Sequence, residues 1–121
     1  MARILVIDNE DIIRDLLVNI LERAGYETIT ASSGKDGMKI QREYPADLIV
    51  ADIFLPEKEG IETIMELRRN FQDVKIITMF GGGILDVVAY LEFAKTTDNV
   101  KTLTKPIYLK ELLQTVHEIL K

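Results

Sequence analysis

Residues 4–8 read Ile4-Leu5-Val6-Ile7-Asp8, four consecutive apolar residues closed by an aspartate. A strand with one face in water alternates apolar and polar side chains. This run does not alternate, so it belongs where both faces of a sheet are covered. From Asp11 the spacing becomes helical, with Ile13, Leu16, Leu17, Ile20 and Ala24 along it and Gly25 placed to stop it. The same switch between periods recurs along the chain. Residues 28–31 read as a second, more polar strand suited to a sheet edge. Ser32 or Ser33 can cap a helix that runs to about Tyr44, because Pro45 disfavours a helical residue before it. Residues 48–51 form a third, buried strand with Asp52 at its end. A loop bearing Pro56 and Gly60 then leads into a helix carrying Ile61, Ile64, Leu67 and Phe71. Residues 76–79 are a fourth strand, followed by Phe80 and the triplet Gly81-Gly82-Gly83. A helix over 84–95, a short strand over 101–104 and a last amphipathic stripe of Leu109, Leu112, Leu113, Val116 and Leu120 complete the alternation. Such βα units, joined by right-handed crossovers, imply an open parallel sheet with helices on both faces. If the strand order is 2-1-3-4-5, the chain reverses between the first and third strands. A ligand site then belongs at their C-terminal ends, where Asp8 and Asp52 both lie.

Composition narrows the chemistry. At 121 residues with 47% hydrophobic content, one domain can bury a sufficient core without a disulfide or structural metal. The chain has no cysteine and a single histidine, His117, so thiolate or His-rich metal sites and thiol catalysis are excluded. His117 reads as a solvated helix residue. The net charge of −5, without a basic run, argues against direct nucleic-acid binding. Neither a signal peptide nor a membrane span is legible, which points to a cytoplasmic protein.

Two aspartates brought together at one sheet edge, with Glu10 close by, repel one another unless a cation lies between them. Magnesium prefers oxygen ligands and takes one or two carboxylates, waters and a phosphate oxygen. Asp8, Asp52 and a backbone carbonyl from the loop after Asp52 make a set of that kind. Lys105, at the end of the fifth strand, could neutralise an added phosphoryl group. Each residue alone has an ordinary alternative: strand-end aspartates often cap turns, and Glu10 and Asp11 favour a helix N-terminus by charge alone.

Three stretches, ILVIDNE at 4–10, DLIVADIFLPEKEG at 47–60 and TLTKPI at 102–107, together resemble the response-regulator receiver domains of two-component signalling. The resemblance covers essentially the whole chain, so residues 1–121 are expected to be one receiver domain with no output domain attached. It implies a flavodoxin-like (βα)5 doubly wound fold, with a five-stranded parallel sheet of order 2-1-3-4-5 and helices on both faces. It further implies that Asp52 accepts a phosphoryl group from a sensor histidine kinase or phosphotransfer protein. Asp8, the residue at position 9, Glu10, Asp52 and the backbone carbonyl of Phe54 would hold Mg²⁺, and Lys105 would pair with the phosphoryl group. A downstream protein target is the implied readout. The apolar helix over 84–95 adds the expectation of a homodimer surface.

This sequence departs from the family pattern at three positions. Asn9 stands where a second acid is usual, Phe80 where a Ser or Thr hydroxyl would bond the phosphoryl group, and Thr102 where many members carry a switching aromatic. Thr78, two residues before Phe80 and inside the strand, is not expected to substitute. These departures sustain an alternative reading, a pseudo-receiver that binds partners with weak or absent phosphorylation. A metal-dependent phosphohydrolase would need a second catalytic aspartate soon after Asp52 and a substrate-capping insertion, and the sequence has neither.

Overall fold

A computed structural model describes residues 2–52, 59–80, 100–104 and 106–121. Among them run β1 (Arg3–Ile7), α1 (Asp11–Arg23), β2 (Glu27–Ala31), α2 (Gly34–Glu43), β3 (Leu48–Asp52), α3 (Glu59–Asn70), β4 (Lys75–Phe80), β5 (Val100–Thr104) and a C-terminal helix (Leu109–Leu120). The five strands form one sheet in the order β2-β1-β3-β4-β5, and every neighbouring pair is parallel. The strand order and fold class expected from the sequence are therefore observed. The helix expected over 84–95 lies outside the described residues.

Successive side chains of a strand point to opposite faces, so the unbroken apolar runs feed two cores at once. Leu5, Ile7, Ile49, Ala51 and Ile76 pack on one side with Met38 of α2 and Ile64 and Leu67 of α3. Ile4, Val6, Leu48, Val50, Ile77 and Met79 pack on the other with Leu17 and Leu21 of α1 and Leu112, Val116 and Ile119 of the C-terminal helix. β2, with its exposed Glu27 and Thr30, is an edge strand, as its polarity suggested.

Local signals also hold at the helix ends. Gly25 adopts φ 98° just past α1. Its N–H reaches the Glu22 carbonyl and that of Tyr26 the Leu21 carbonyl, a Schellman closure that needs a left-handed residue there. Ser33 caps α2 by accepting from the Asp36 N–H. Gly37 lets α2 sit on β1, since a Cβ there would lie 2.4 Å from Cδ1 of Ile7. One expectation needs correcting: Gly60 is not in the loop but in the first turn of α3, which begins at Glu59. The first N–H groups of a helix have no intrahelical partner, so a turn-forming glycine is accommodated there.

Candidate functional site

The strand register brings the site together. β1 and β3 pair with Ile7 opposite Ala51, so the next residues, Asp8 and Asp52, arrive side by side at the C-terminal edge of the sheet. Asp52 is in turn opposite Met79 of β4, and Phe80 is opposite Thr104 of β5. Asp8 is 0% exposed and Asp52 1%. The Asp8 N–H donates to the Ala31 carbonyl at 3.1 Å, which carries the β1–β2 ladder one residue further. Its carboxylate Oδ1 accepts from the Glu10 N–H at 2.8 Å, closing a tight turn around Asn9. Asn9 and Glu10 are exposed.

One carboxylate oxygen from each of Asp8, Glu10 and Asp52 lies within 4.8 Å of the others. Two unit charges at such a separation repel by about 1 kcal/mol at the dielectric of water and about 3 kcal/mol at an effective value of ~20. A divalent cation turns this repulsion into attraction. The donor set suits magnesium: the ligand atoms are all oxygens, two come from the buried side, and the third is at the surface, where waters can complete an octahedron.

The other expected site residues divide into two groups. Phe54, Lys105, the Gly81-Gly82-Gly83 triplet and the 84–95 helix lie outside the described residues, as does the ring of Phe80. Thr102 is described and half-buried. Its hydroxyl lies 3.0 Å from that of Thr78, directly across from it on β4. Thr78 is 0% exposed, and its hydroxyl also donates to the Lys101 carbonyl at 3.4 Å. Thr78 is thus engaged inside the sheet, in line with the expectation that it does not replace a hydroxyl at position 80. His117 is exposed on the C-terminal helix and is not part of the acidic cluster.

Sequence reasoning missed Arg14. Its Nη1 donates to the Asp8 carbonyl at 2.8 Å, and its Nη2 pairs with the Asp11 carboxylate. The available signal was its spacing: Arg14 is four residues after Glu10 and three after Asp11, so one helical turn brings it back over the end of β1. The Thr78–Thr102 pair was also missed, because cross-strand neighbours follow from a register that the sequence does not state.

The family described as Response regulator receiver domain matches residues 4–117. The transcriptional regulatory protein AfsQ1 of Streptomyces coelicolor is 40% identical over 92 residues, covering 76% of this chain and 41% of that protein. The response regulator receiver protein CpdR of Brucella abortus is 30% identical over 120 residues, covering 99% of this chain and 98% of that protein. Among solved structures, the response regulator TrrA of Thermotoga maritima, in complex with Mg²⁺-BeF, superposes with a TM-score of 0.85 at 31% identity. That match covers 98% of this chain and 99% of TrrA. The chain spans 41% of the length of AfsQ1, 49% of that of a probable transcriptional regulatory protein of Picosynechococcus, and nearly all of CpdR.

Proposed function

We infer from the premise that this chain belongs to the response-regulator receiver domain family of two-component signalling that Asp52 is its phosphoryl acceptor. The observation that carries this reading is the convergence of Asp8, Glu10 and Asp52 at the switch-point edge of the sheet, with Asp52 at the end of β3, the central strand of the five. An Asp52 carboxylate oxygen attacks the phosphorus of a phosphohistidine donor in line. The P–N bond breaks, the imidazole leaves with its electron pair, and an acyl phosphate forms on Asp52. Water later attacks that phosphorus and restores the carboxylate.

Asp8 and Glu10, with Asp52, are the residues that would hold Mg²⁺, joined by the Asn9 side chain and the Phe54 carbonyl. When bound, the ion supplies positive charge against the oxygens of the phosphoryl group. Lys105 is the proposed second counter-charge. The proposed partners are a sensor kinase or phosphotransfer protein and a downstream protein target. Exposed apolar side chains near the site, Ile12 at 82% and Leu16, Tyr108 and Leu109, supply a surface suited to protein rather than nucleic acid. No helix among the described residues is long and apolar enough to cross a membrane. A homodimer through residues 84–95 is the remaining part of the proposal.

One observation favours the second reading, a receiver fold with weak or absent phosphorylation. Thr78, the nearest described hydroxyl on β4, is held by Thr102 and Lys101. One experiment separates the two readings: incubation with Mg²⁺ and a small acyl-phosphate donor, followed by intact mass. A gain of one phosphoryl group, absent in Asp52→Asn, is the expected result. No gain in the wild-type chain selects the pseudo-receiver.

A further inference from the structure

The Asp8 and Glu10 side of the acidic site is a three-residue turn, Asp8-Asn9-Glu10, and one side chain outside the carboxylate cluster is hydrogen-bonded to it. The Arg14 backbone N–H donates to the Glu10 carbonyl at 2.9 Å. Its guanidinium Nη1 donates to the Asp8 carbonyl at 2.8 Å. The first of these bonds is the opening backbone bond of α1; the second, on the carbonyl just before Asn9, is made by the Arg14 side chain alone. Nη2 pairs with Asp11, which keeps the planar group aimed at Asp8, and the Arg14 side chain is only 16% exposed. A guanidinium suits this task because its fork presents two N–H groups in fixed geometry, which an ammonium cannot do.

We propose that Arg14 is a positioning residue of the acidic site, holding the Asp8-Asn9-Glu10 turn so that the Asp8 and Glu10 carboxylates stay aligned with Asp52 for a divalent cation. The proposal rests on the magnesium reading of the site given above. Its force lies in a sign. A positive charge beside a cation site opposes the cation, so an arginine present only as charge would, once removed, leave Mg²⁺ bound more tightly. Loss of Arg14 also leaves Asp11 without its partner, which adds to that attraction. A positioning role predicts the opposite outcome. Residues that orient ligands from behind are worth about 10–100-fold in metal affinity, against a few-fold for a partly screened charge.

The test compares the wild-type chain with Arg14→Met, which keeps the aliphatic stem, and Arg14→Lys, which keeps the charge with a single donor group. Mg²⁺ is titrated into each while amide resonances are followed. About tenfold weaker binding in Arg14→Met, with Arg14→Lys intermediate, is expected. In the ion-free protein the Glu10 amide proton, bonded to the Asp8 carboxylate, should move upfield in Arg14→Met while the amides of Leu5 and Val50 in the core keep their positions. Equal or tighter Mg²⁺ binding by Arg14→Met overturns the proposal. If the wild type takes up no Mg²⁺, the magnesium reading falls, and the Glu10 amide alone decides: a shift upholds the positioning role and its absence ends it. If Arg14→Met loses the core resonances as well, the same criteria apply to Arg14→Lys.

Discussion

The two edges of the sheet use their polar side chains in opposite ways. At the N-terminal edge Asp47, Gln41 and Arg68 are committed to the chain's own backbone. Asp47 Oδ2 accepts from the Arg3 N–H at 2.8 Å. The buried Gln41 amide closes a ring with Ala46, donating to its carbonyl at 3.2 Å and accepting from its N–H at 2.9 Å. Arg68 donates to the carbonyls of Gln72 and Val74 beyond the end of α3. At the C-terminal edge, Asp8 also accepts a backbone N–H, that of Glu10, but three carboxylates are gathered within 4.8 Å of one another. The first arrangement lowers the energy of the folded chain by itself. The second holds like charges together, and a bound cation would stabilise it. A carboxylate's role is thus read from what it faces, and Asp47 and Asp52, five residues apart, illustrate both cases.

The sharpest way to break this comparison is at the far edge. Gln41→Leu removes both partners of Ala46, which is 7% exposed, and leaves a buried N–H and C=O unsatisfied. Each such group costs about 1–3 kcal/mol, so urea unfolding should show a loss of about 2–6 kcal/mol. Mg²⁺ affinity should stay at the wild-type value. A parallel fall in affinity would mean that the two edges are coupled through the sheet.

The edges also differed in how far they could be read in advance. Asp8 and Asp52 were legible because each closes an apolar run too uniform for a half-exposed strand, and parallel sheets put such ends together. The polarity of residues 28–31 placed β2 at the edge for the same physical reason, since an edge strand has less to bury. Gly25 and Ser33 were legible because their roles are set by φ and by a side-chain oxygen, both local properties. Gln41 was not, because a glutamine in an amphipathic helix looks solvated until the loop through Pro45 folds back upon it. Gly60 was misplaced because a glycine signals a turn whether it falls before a helix or in its first turn. Arg14 and the Thr78–Thr102 pair depend on which groups the folded chain brings alongside, and no periodicity encodes that.

At the site edge the expected effect is smaller and of the other kind. Asn9→Asp adds a fourth acid to the exposed side of the cluster. Even counted at a separation of ~6 Å, farther than direct ligation, one further unit charge beside a dication is worth about 1.4 kcal/mol at the dielectric of water, so Mg²⁺ affinity should rise at least about tenfold. Ion-free stability should fall slightly, because the added charge joins others of the same sign. Calorimetric titration of both chains, with thermal unfolding at zero and saturating Mg²⁺, measures the two effects together. Unchanged affinity would place the cation away from position 9.

Thr102→Val is a smaller test, at neither edge. It deletes one hydroxyl from a cross-strand pair while Thr78 keeps its bond to the Lys101 carbonyl, so the loss should be about 0.5–1 kcal/mol in denaturant unfolding. A loss well above this would mean that the pair ties β4 to β5 more firmly than one neutral hydrogen bond allows. No loss would mean that the threonine methyls, not the hydroxyls, make the contact.

The smallest expected effect belongs to an exposed carboxylate, and it sharpens the contrast with the buried ones. Glu118 on the C-terminal helix accepts from the Lys101 ammonium and from the Gln114 amide, each at 3.3 Å. The Lys101 hydrogen bond, then the Gln114 bond and the charge of Lys101, hold its carboxyl below the ordinary glutamate value. A carboxyl lowered in the folded state contributes stability above its unfolded value, near pH ~4.3, and loses that contribution as the pH falls through the folded value. Lys101→Met should therefore raise the Glu118 titration midpoint and flatten this part of the acid limb. Both groups are at the surface, so added salt should shrink the difference between the two chains. Carboxyl-carbon titration of Glu118 at low and high salt, in wild type and Lys101→Met, reads this directly. A midpoint that ignores Lys101 would leave Gln114 as the cause, and a salt-independent shift would mean that the pair is shielded from solvent in the way the Asp8–Asp52 edge is.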